Sequence, residues 1–472
     1  MQDPIPSSPA EPESIARQTI REITQPFIDL FHASRALWGI NLSYLLEGLT
    51  YFGVVGLLAI FFNDYIGLDD ISAGRMVGFL TAGITLGMLF MGATVDLFGP
   101  RKALLISLAL MLIGRTLLTL SPDLGTRGLW STSHWLAMGG LLGIVLGYGI
   151  YQPACYAAVK QFTTEKTAAM GYAMLYAIMN LGGFLPGLIS PPVRRAYGIT
   201  GVFWVYVALT AAGMLVIAVF LTRGAIARAS ADAESERKEK TVEEEQKPLK
   251  AQIAFYLKNF PVRDARFMYF IFILIPVQTL FAHNWLTLPQ YCSRAFTGVV
   301  SDNYEFFVNF SPLLIFVLTP VVTALTLKKN TYTMMIVGTA VMAAPTFILA
   351  LGPNIAGLFA YLILATLGEA TWSARFLQWV AEIAPKSMTG IYMGIGQFPW
   401  FLTKVITSLY SGWFLMQYCP AGVPPEQMHT GTMWFIYGVI AMMTPAGLLV
   451  ASNWMRKGFK DRAGEPQTLE NQ

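Results

Sequence analysis

The stretch ADAESERKEKTVEEEQKPLK, residues 231–250, is the one strongly charged run in this chain. It lies in a break in the hydrophobic sequence at 223–262, and such a run must be solvated. The chain as a whole is apolar: 54% of its 472 residues are hydrophobic and 13% are charged, with a mean hydropathy of +0.52. A soluble domain averages about 25% charged residues. The composition therefore predicts a polytopic membrane protein whose apolar residues face lipid.

The hydrophobic segments on both sides of the break are long enough to cross a bilayer, whose core takes roughly 20 apolar residues per helix. The predicted fold class is an all-α membrane protein with twelve transmembrane helices in two six-helix bundles. The predicted spans are 36–62, 73–95, 102–121, 134–158, 167–190, 200–222, 264–288, 304–327, 331–351, 355–384, 388–416 and 431–454.

The break divides the chain into two bundles joined by a linker. The predicted organisation is an N-terminal tail at 1–35, a bundle at 36–222, the linker at 223–262, a bundle at 263–455 and a tail at 456–472. Residues 250–260, KAQIAFYLKNF, fit a short helix on the membrane surface and a mobile linker equally well.

Several classes of protein are disfavoured by the sequence. A net charge of +4 gives no support for a nucleic-acid partner. Three scattered cysteines and four histidines have no metal-site spacing. Neither a nucleotide-binding loop nor a catalytic constellation is present, so we predict a gradient-driven protein that needs no cofactor and is not an enzyme. A membrane enzyme or a receptor remains a remote alternative.

The lysines and arginines predict the orientation in the membrane. They gather before span 1 and after the even-numbered spans, whereas the opposite loops hold few. Both termini are therefore predicted to be cytoplasmic, in a multi-pass protein of the cell membrane. The polar first twenty residues lack a basic segment followed by an apolar one, so no cleavable signal peptide is expected.

The loop between spans 2 and 3 carries a sequence motif. It reads Gly92-Ala-Thr-Val-Asp96-Leu-Phe-Gly99-Pro-Arg101-Lys102, which resembles the cytoplasmic loop signature of the major facilitator superfamily. Glycines allow a tight turn between the helices. An Asp with two cations can hold the two bundles together through charge pairs and through interaction with the end of a helix. We predict a conformational role for Asp96, Arg101 and Lys102, the alternative being a charged loop that only fixes topology.

Further runs resemble one family within that superfamily, the proton-dependent oligopeptide transporters. Span 5 carries Leu175-Tyr176-Ala-Ile-Met-Asn180-Leu-Gly182-Gly183, similar to the family's F-Y-x-x-I-N-x-G-S. Spans 10 and 11 carry Gly368-Glu369, Ala384-Pro385 and Met393-Gly394, similar to its G-E, A-P and M-G. Spans 1 and 4 carry similar but less complete runs. The resemblance implies a proton-coupled symporter, a monomer, that binds a small solute.

The chain also departs from the family pattern. Tyr44 and Gly48 stand where the family's span 1 motif has Glu and Arg, and Gln152 stands where span 4 has Lys. In the family that Arg and Lys help to bind the peptide carboxylate, whereas the position of Glu369 is associated with the peptide amino group. The resemblance therefore implies that an amine-binding residue is kept while the carboxylate-binding cations are missing.

Charged residues inside a membrane are expensive and usually face a cavity or a partner. Glu47 and Glu369 are predicted as proton-coupling residues. Tyr44, Glu47 and Tyr51 follow i, i+3, i+7 spacing and share a helix face, so the tyrosines are predicted to line a cavity, the alternative being that they are packed core residues. Lys404 is predicted to pair with Glu369 or to bind an anionic group of the substrate, the alternative being a structural ion pair.

Other polar residues within the spans complete the prediction. Arg115 is interpreted as structural, while Arg375 and Glu382, seven residues apart on span 10, are read as a gate or a packing pair. The predicted substrate-binding residues are Tyr44, Tyr51, Gln152, Tyr176, Asn180, Gln278, Asn284, Trp285, Glu369, Trp372 and Lys404.

The functional prediction is a secondary transporter that works by alternating access. Import of a small peptide-like or amine-containing solute by proton symport is the leading version. A proton-coupled exporter of drugs or metabolites and an uncoupled facilitator are the alternatives on the same fold. The predicted partners are the solute, protons and the lipid bilayer.

Overall fold

The computed structural model describes residues 34–91, 94–163, 165–237, 263–326, 329–383, 395–396 and 398–455. Within them the chain forms helices, turns and loops. The segment KAQIAFYLKNF and both predicted tails, apart from Ser34 and Arg35, lie outside the described residues. The first part of the predicted linker is not an irregular chain, because Arg223–Arg237 is a helix. It packs on span 4, where Gln161 donates a hydrogen bond to the Ser230 hydroxyl over 2.9 Å.

The N-terminal half contains six spans. Span 1 is Arg35–Phe61, continued by a wide helical turn at Phe62–Ile66, and spans 2, 3 and 4 are Asp70–Met91, Thr94–Leu120 and Thr132–Phe162. Spans 5 and 6 comprise the helix Glu165–Phe184 and the helical run Pro186–Phe220, which Gly198 interrupts.

Gly198 separates spans 5 and 6. Its φ of 69° lies in the left-handed region that favours glycine, and the backbone N–H of Ile199 beyond it donates to the Tyr65 hydroxyl over 3.0 Å. The continuous apolar stretch Ala177–Phe220 is therefore two crossings joined by a tight turn.

The C-terminal half repeats this arrangement with more broken helices. Span 7 is Ala265–Ile273 with Ile275–Leu286, span 8 is Tyr304–Val308 with Phe310–Thr326, and span 9 is Thr331–Ala343 with Thr346–Leu349. Spans 10, 11 and 12 are Ile355–Ile383, Phe398–Tyr418 and Thr430–Val450. Short helices at Leu288–Ala295 and Val299–Asp302 connect spans 7 and 8.

Polar side chains fix where several spans begin. The hydroxyls of Ser34 and Ser131 accept the backbone N–H groups of Leu37 and His134 at 3.3 and 3.2 Å. The Asn330 carboxamide does the same for Thr333 at 3.0 Å. These caps satisfy donors that the first helical turn leaves unpaired.

Small residues let spans approach closely within each half. A Cβ on Gly114 of span 3 would lie 2.5 Å from the Gly140 carbonyl oxygen of span 4. A Cβ on Gly368 of span 10 would lie 2.2 Å from the Met342 nitrogen at the end of span 9. Spans 3 and 4 and their counterparts 9 and 10 are thus held at backbone contact, as in many membrane helix pairs.

The two halves meet through spans 2 and 11 and through spans 5 and 8. The loops after odd-numbered spans lie at one end of the molecule, here called the odd-loop side, and those after even-numbered spans lie at the even-loop side. At the odd-loop side a Cβ on Gly412 would lie 2.2 Å from the Asp70 carbonyl oxygen, and one on Gly78 would overlap the Ser408 side chain. The halves are therefore packed together most tightly towards the odd-loop side.

Candidate functional site

A cavity of about 500 Å³ lies between the two halves. Spans 1 and 5 supply one wall and spans 7, 8, 10 and 11 the other. Five of the predicted substrate-binding residues line it: Asn180, Asn284, Trp285, Glu369 and Trp372. The remaining lining residues are Phe52, Val55, Gly56, Met179, Phe281, Val308, Asn309, Ser311, Pro312, Ile315, Thr319, Ser373, Phe376 and Trp400.

Glu369 is the ionisable residue among those that line this cavity. Its neighbour Gly368 packs span 10 against the backbone of span 9. Among the residues that the structure describes, no side chain forms an ion pair or a hydrogen bond with the Glu369 carboxylate. The carboxylate is thus placed in a largely apolar cavity without a protein counter-charge from the described part of the chain.

Aromatic side chains surround the cavity on the side of the C-terminal half. The Trp372 and Trp400 rings are stacked, with centroids 6.0 Å apart and planes at 15°. Phe281 contacts the edges of Trp400 and Trp285, at centroid distances of 5.2 and 4.7 Å. Phe281, Phe376 and Trp400 were not predicted as site residues, because aromatic residues on a membrane helix are core or lipid-facing by default.

Two fully buried polar atoms in the cavity wall have no hydrogen-bond partner within the described residues. They are the indole N–H of Trp285, whose side chain is 7% exposed, and the hydroxyl of Thr319. Both lie among the lining residues. Unpaired buried polar groups of this kind cost free energy.

Glu47 lies outside the cavity wall, inside the N-terminal half. It forms a two-point ion pair with Arg115 of span 3, whose Nη1 is 2.9 Å from Oε2 and whose Nη2 also contacts Oε1. The side chains are 1% and 2% exposed, and Arg115 also donates to the Thr210 hydroxyl of span 6. The sequence predicted a proton-coupling role for Glu47 and a structural role for Arg115, but not that the two residues pair. Their opposite charges within spans of the same half were the signal that could have indicated the pair.

A polar and aromatic cluster surrounds this ion pair. The Tyr44 hydroxyl donates to the Gln152 side-chain oxygen over 2.8 Å. Tyr44 also stacks on Tyr151, while Tyr51 contacts Tyr148, at centroid distances of 6.1 and 4.9 Å. On the shared face predicted for Tyr44, Glu47 and Tyr51, the two tyrosines therefore pack against span 4, while Glu47 pairs with span 3. In this conformation Tyr44, Tyr51 and Gln152 do not line the cavity.

The structure does not bring Lys404 to Glu369. The Lys404 ammonium donates to the Thr85 hydroxyl of span 2 over 3.1 Å and so connects the two halves. Within the described part of the chain it has no ion-pair partner. Gln278 accepts a hydrogen bond from the Thr403 hydroxyl over 3.2 Å and is fully buried. Neither Lys404 nor Gln278 lines the cavity.

Two ion pairs connect the halves at the odd-loop side. Arg294, which follows span 7, lies 2.7 Å from each carboxylate oxygen of Asp70 at the start of span 2. Arg194 of span 5 forms a two-point pair with Glu305 of span 8, with Nη2 3.2 Å from Oε2. Its Nη2 also donates to the Asp302 carbonyl over 2.7 Å. No pattern in the sequence predicted these two pairings.

The predicted gating residues are only partly described. Gly99 has a φ of 74°, which a glycine adopts without strain, so the motif does form a tight turn. Arg101 donates to the Ala218 carbonyl of span 6 over 3.4 Å, a contact within the N-terminal half, and Lys102 is exposed. Arg375 donates to the Thr326 hydroxyl of span 8 over 2.9 Å. The side chains of Asp96, Tyr176 and Glu382 lie outside what the structure describes.

Comparisons with known proteins identify a relative with a similar sequence. Dipeptide and tripeptide permease A of Proteus mirabilis (strain HI4320) is 23% identical over 196 residues, which are 41% of this chain. The match spans 37% of that relative's length.

Solved structures of POT family transporters share the fold. One in complex with 5-aminolevulinic acid has a TM-score of 0.65 at 16% identity, covering 89% of this chain and 97% of that one. One in complex with a thioalcohol-conjugated peptide has a TM-score of 0.67 at 16% identity, covering 93% and 100%. A peptide transporter POT in complex with sulfate has a TM-score of 0.68 at 17% identity, covering 89% and 95%.

These findings confirm the predicted fold class and the predicted resemblance. Nine stretches of the described residues are long and apolar enough to cross a membrane. Dividing Ala177–Phe220 at Gly198 and adding spans 8 and 11 brings the number to twelve. Residues 40–408 match the Major Facilitator Superfamily, well over half of the chain. The chain belongs to that family of membrane transporters, and not to a family of enzymes.

Proposed function

We propose that this protein is a proton-coupled secondary transporter of a small amine-containing or peptide-like solute, working by alternating access. The observation that supports it most is Glu369, a carboxylate in the wall of a cavity of about 500 Å³ between the two halves. Transporters of this kind bind solutes near the bilayer midplane at the interface of their repeats. An ammonium group of the solute would supply the counter-charge that Glu369 lacks among the described residues.

The proposed orientation follows from the distribution of positive charge. The odd-loop side faces away from the cytoplasm, and both termini are cytoplasmic in a cell membrane. The ion pairs Arg294–Asp70 and Arg194–Glu305, together with the packing of span 2 against span 11, close this outer side. The conformation corresponds to one closed to the outside.

Transport requires that the outer contacts break while the inner ends of the bundles come together. Because the outer contacts are discrete ion pairs and close helix packing, they separate two states rather than allow continuous opening. Substrate or proton binding shifts the balance only if it stabilises one state more than the other. A solute held between Glu369 on span 10 and residues of spans 1 and 5 links the two halves directly.

Glu369 and Glu47 are the proposed proton-coupling residues, in different ways. Glu369 faces the cavity and can exchange a proton with it. Glu47 is compensated by Arg115, so protonation of Glu47 would leave a buried guanidinium without its counter-charge. A proton on Glu47 must therefore be accompanied by movement of Arg115, which couples spans 1, 3 and 6. Import by symport uses one or both of these carboxylates.

Proteoliposomes containing the purified protein test the proposal. Uptake of labelled phenylalanyl-alaninamide and phenylalanyl-alanine is measured with and without an inward proton gradient, with protein-free liposomes as the control. We expect gradient-dependent accumulation in the wild type and its loss in Glu369→Gln, which keeps the side-chain size but removes the charge. Accumulation that ignores the gradient would indicate an uncoupled facilitator, and absence of solute flux would contradict a transporter.

A proton-coupled exporter is the second candidate, and one observation favours it. Glu369 is the carboxylate that lines the described cavity, so a cationic solute and a proton would compete for it. Competition at one site produces exchange, with proton entry driving solute exit, rather than symport. An outward solute flux driven by an inward proton gradient would support the exporter, whereas co-accumulation of solute and proton would support the symporter.

A further inference from the structure

The walls of the cavity differ from those of a site for a zwitterion. Asn180 and Asn284 line it as neutral polar groups, and Trp285 offers an indole N–H. Of the lysines and arginines whose side chains the structure describes, none lines the cavity. A solute carboxylate would therefore lie in an apolar space near Glu369, with a like charge beside it and no described cation to compensate it.

The cations inside the spans are engaged elsewhere. Arg115 is bound to Glu47 on both carboxylate oxygens. Lys404 is on span 11, four residues beyond the lining residue Trp400, but its ammonium is bound to Thr85 across the interface between the halves. Moving Arg115 to a solute carboxylate would break a buried ion pair, and moving Lys404 would break a partly buried hydrogen bond, both of which cost free energy.

The aromatic rings, in contrast, suit a cation with an apolar body. Trp400, which stacks on the buried Trp372 ring, and Phe281 are partly exposed and present ring surface on the side of the cavity that holds Glu369. A cation close to a tryptophan face is attracted by the ring quadrupole, and the attraction is stronger when water is excluded. An apolar group on the solute would also gain from burial against these rings.

We propose that the solute of this cavity is a cation with an apolar or aromatic body and no carboxylate. This inference rests on the proposed transport function and specifies its substrate class. The ammonium group lies between Glu369 and the face of Trp400, and the apolar body fills the space between spans 1, 5 and 8. Primary amines and blocked peptides belong to this class, whereas free dipeptides do not.

The test compares pairs of ligands that differ by one charge, in the purified full-length protein. Phenylalanyl-alaninamide is compared with phenylalanyl-alanine, and 2-phenylethylamine with the neutral 2-phenylethanol, by quenching of intrinsic tryptophan fluorescence. We expect the amide to bind at least about tenfold more tightly than the free acid, since an uncompensated charge in an apolar site costs more than the 1.4 kcal/mol of that factor. We expect 2-phenylethylamine to bind more tightly than 2-phenylethanol.

Variants assign the preferences to particular side chains. Glu369→Gln should remove the preference for amine over alcohol while leaving the alcohol's affinity within about twofold. Trp400→Leu should lower the affinity for the amine more than the affinity for the alcohol. The matched Trp400→Phe keeps an aromatic face and should retain most of the difference in affinity between amine and alcohol. Lys404→Met should not change the affinity for the free acid.

The outcomes that overturn the inference are separable from failure of the proposed function. Equal affinity for the amide and the free acid, or an affinity for the acid that depends on Lys404, would overturn the substrate class even if transport is intact. Failure of both amines to bind would overturn it as well. Absence of solute flux in proteoliposomes would instead overturn the proposed transport function.

Discussion

Arg294 and Asp70 form a two-point ion pair that joins the C-terminal half to the N-terminal half, with both N–O distances 2.7 Å. The two side chains are 13% and 6% exposed, so water screens the pair only weakly. Arg294 also donates to the Cys419 carbonyl over 3.1 Å and to the Asn63 side-chain oxygen over 3.4 Å. One guanidinium thus connects the ends of spans 1, 2 and 11.

Replacing Arg294 with Gln is expected to favour opening of the odd-loop side. Loss of a partner from a partly buried charged contact costs about 1–3 kcal/mol, roughly tenfold in population for each 1.4 kcal/mol. Cys292 and Cys419 are fully buried at this side and become accessible when it opens. The rate at which N-ethylmaleimide modifies these thiols should therefore rise.

The matched variant for this experiment is Arg195→Gln, which removes an exposed contact to Asn303 at the same side. It should leave the rate of thiol modification nearly unchanged, because exposed polar contacts contribute little. Cys155 lies towards the even-loop end of span 4, so faster modification of this thiol would indicate that the whole protein has loosened. Equal rates in Arg294→Gln and the wild type would show that this ion pair does not hold the outer side closed.

Glu47→Gln is expected to destabilise the N-terminal half, since it leaves the buried Arg115 guanidinium without its counter-charge. Breaking a buried ion pair by removing one partner typically costs about 3–5 kcal/mol. The double variant Glu47→Gln/Arg115→Met, which removes both charges, should recover a large part of that loss. Thermal unfolding of the wild type, Glu47→Gln, Arg115→Met and the double variant in one detergent gives the interaction energy between the two positions.

The same variants test the proton-coupling role of Glu47. If Glu47 carries a transported proton, the double variant should be stable but unable to accumulate solute against a gradient. Stable protein with normal gradient-driven accumulation would assign Glu47 and Arg115 to structure alone and leave Glu369 as the proton-coupling carboxylate.

Lys404→Ala should slow transport without changing solute affinity more than about threefold. In the described conformation the Lys404 ammonium contacts Thr85 and not the cavity, so it affects the relation between the halves rather than the bound solute. Thr85→Val removes the acceptor hydroxyl at nearly constant shape and should have a similar effect on the rate. A selective loss of affinity in Lys404→Ala, absent in Thr85→Val, would show that the lysine binds solute.

Gly412→Ala is expected to separate span 11 from span 2. Its Cβ would lie 2.2 Å from the Asp70 carbonyl oxygen and 2.5 Å from the Ile71 Cα, both backbone atoms that cannot move alone. Overpacking of this kind costs about 1–3 kcal/mol, so the unfolding temperature should fall and the outer thiols should react faster. Gly139→Ala, where no neighbouring atom lies within 4 Å, is the control and should have no such effect.

The sequence by itself determined the number of spans, the two halves and the resemblance to peptide transporters. Hydropathy is a local property, since each span must bury about 20 residues of its own in lipid whatever its neighbours are. The charged linker likewise marks the division between the halves wherever the helices pack. Glu369 and Asn180 could be named from motif position because the match in their neighbourhood is local too.

Only the tertiary structure decided which of these residues meet. Glu47 and Arg115 are 68 positions apart and Lys404 and Thr85 are 319 apart, so their pairing depends on the rotation and tilt of separate helices. The same holds for the aromatic wall, which takes Phe281, Trp372 and Trp400 from spans 7, 10 and 11. Helix orientation is set by close packing at glycines and by polar contacts between spans, which periodicity within one span does not contain.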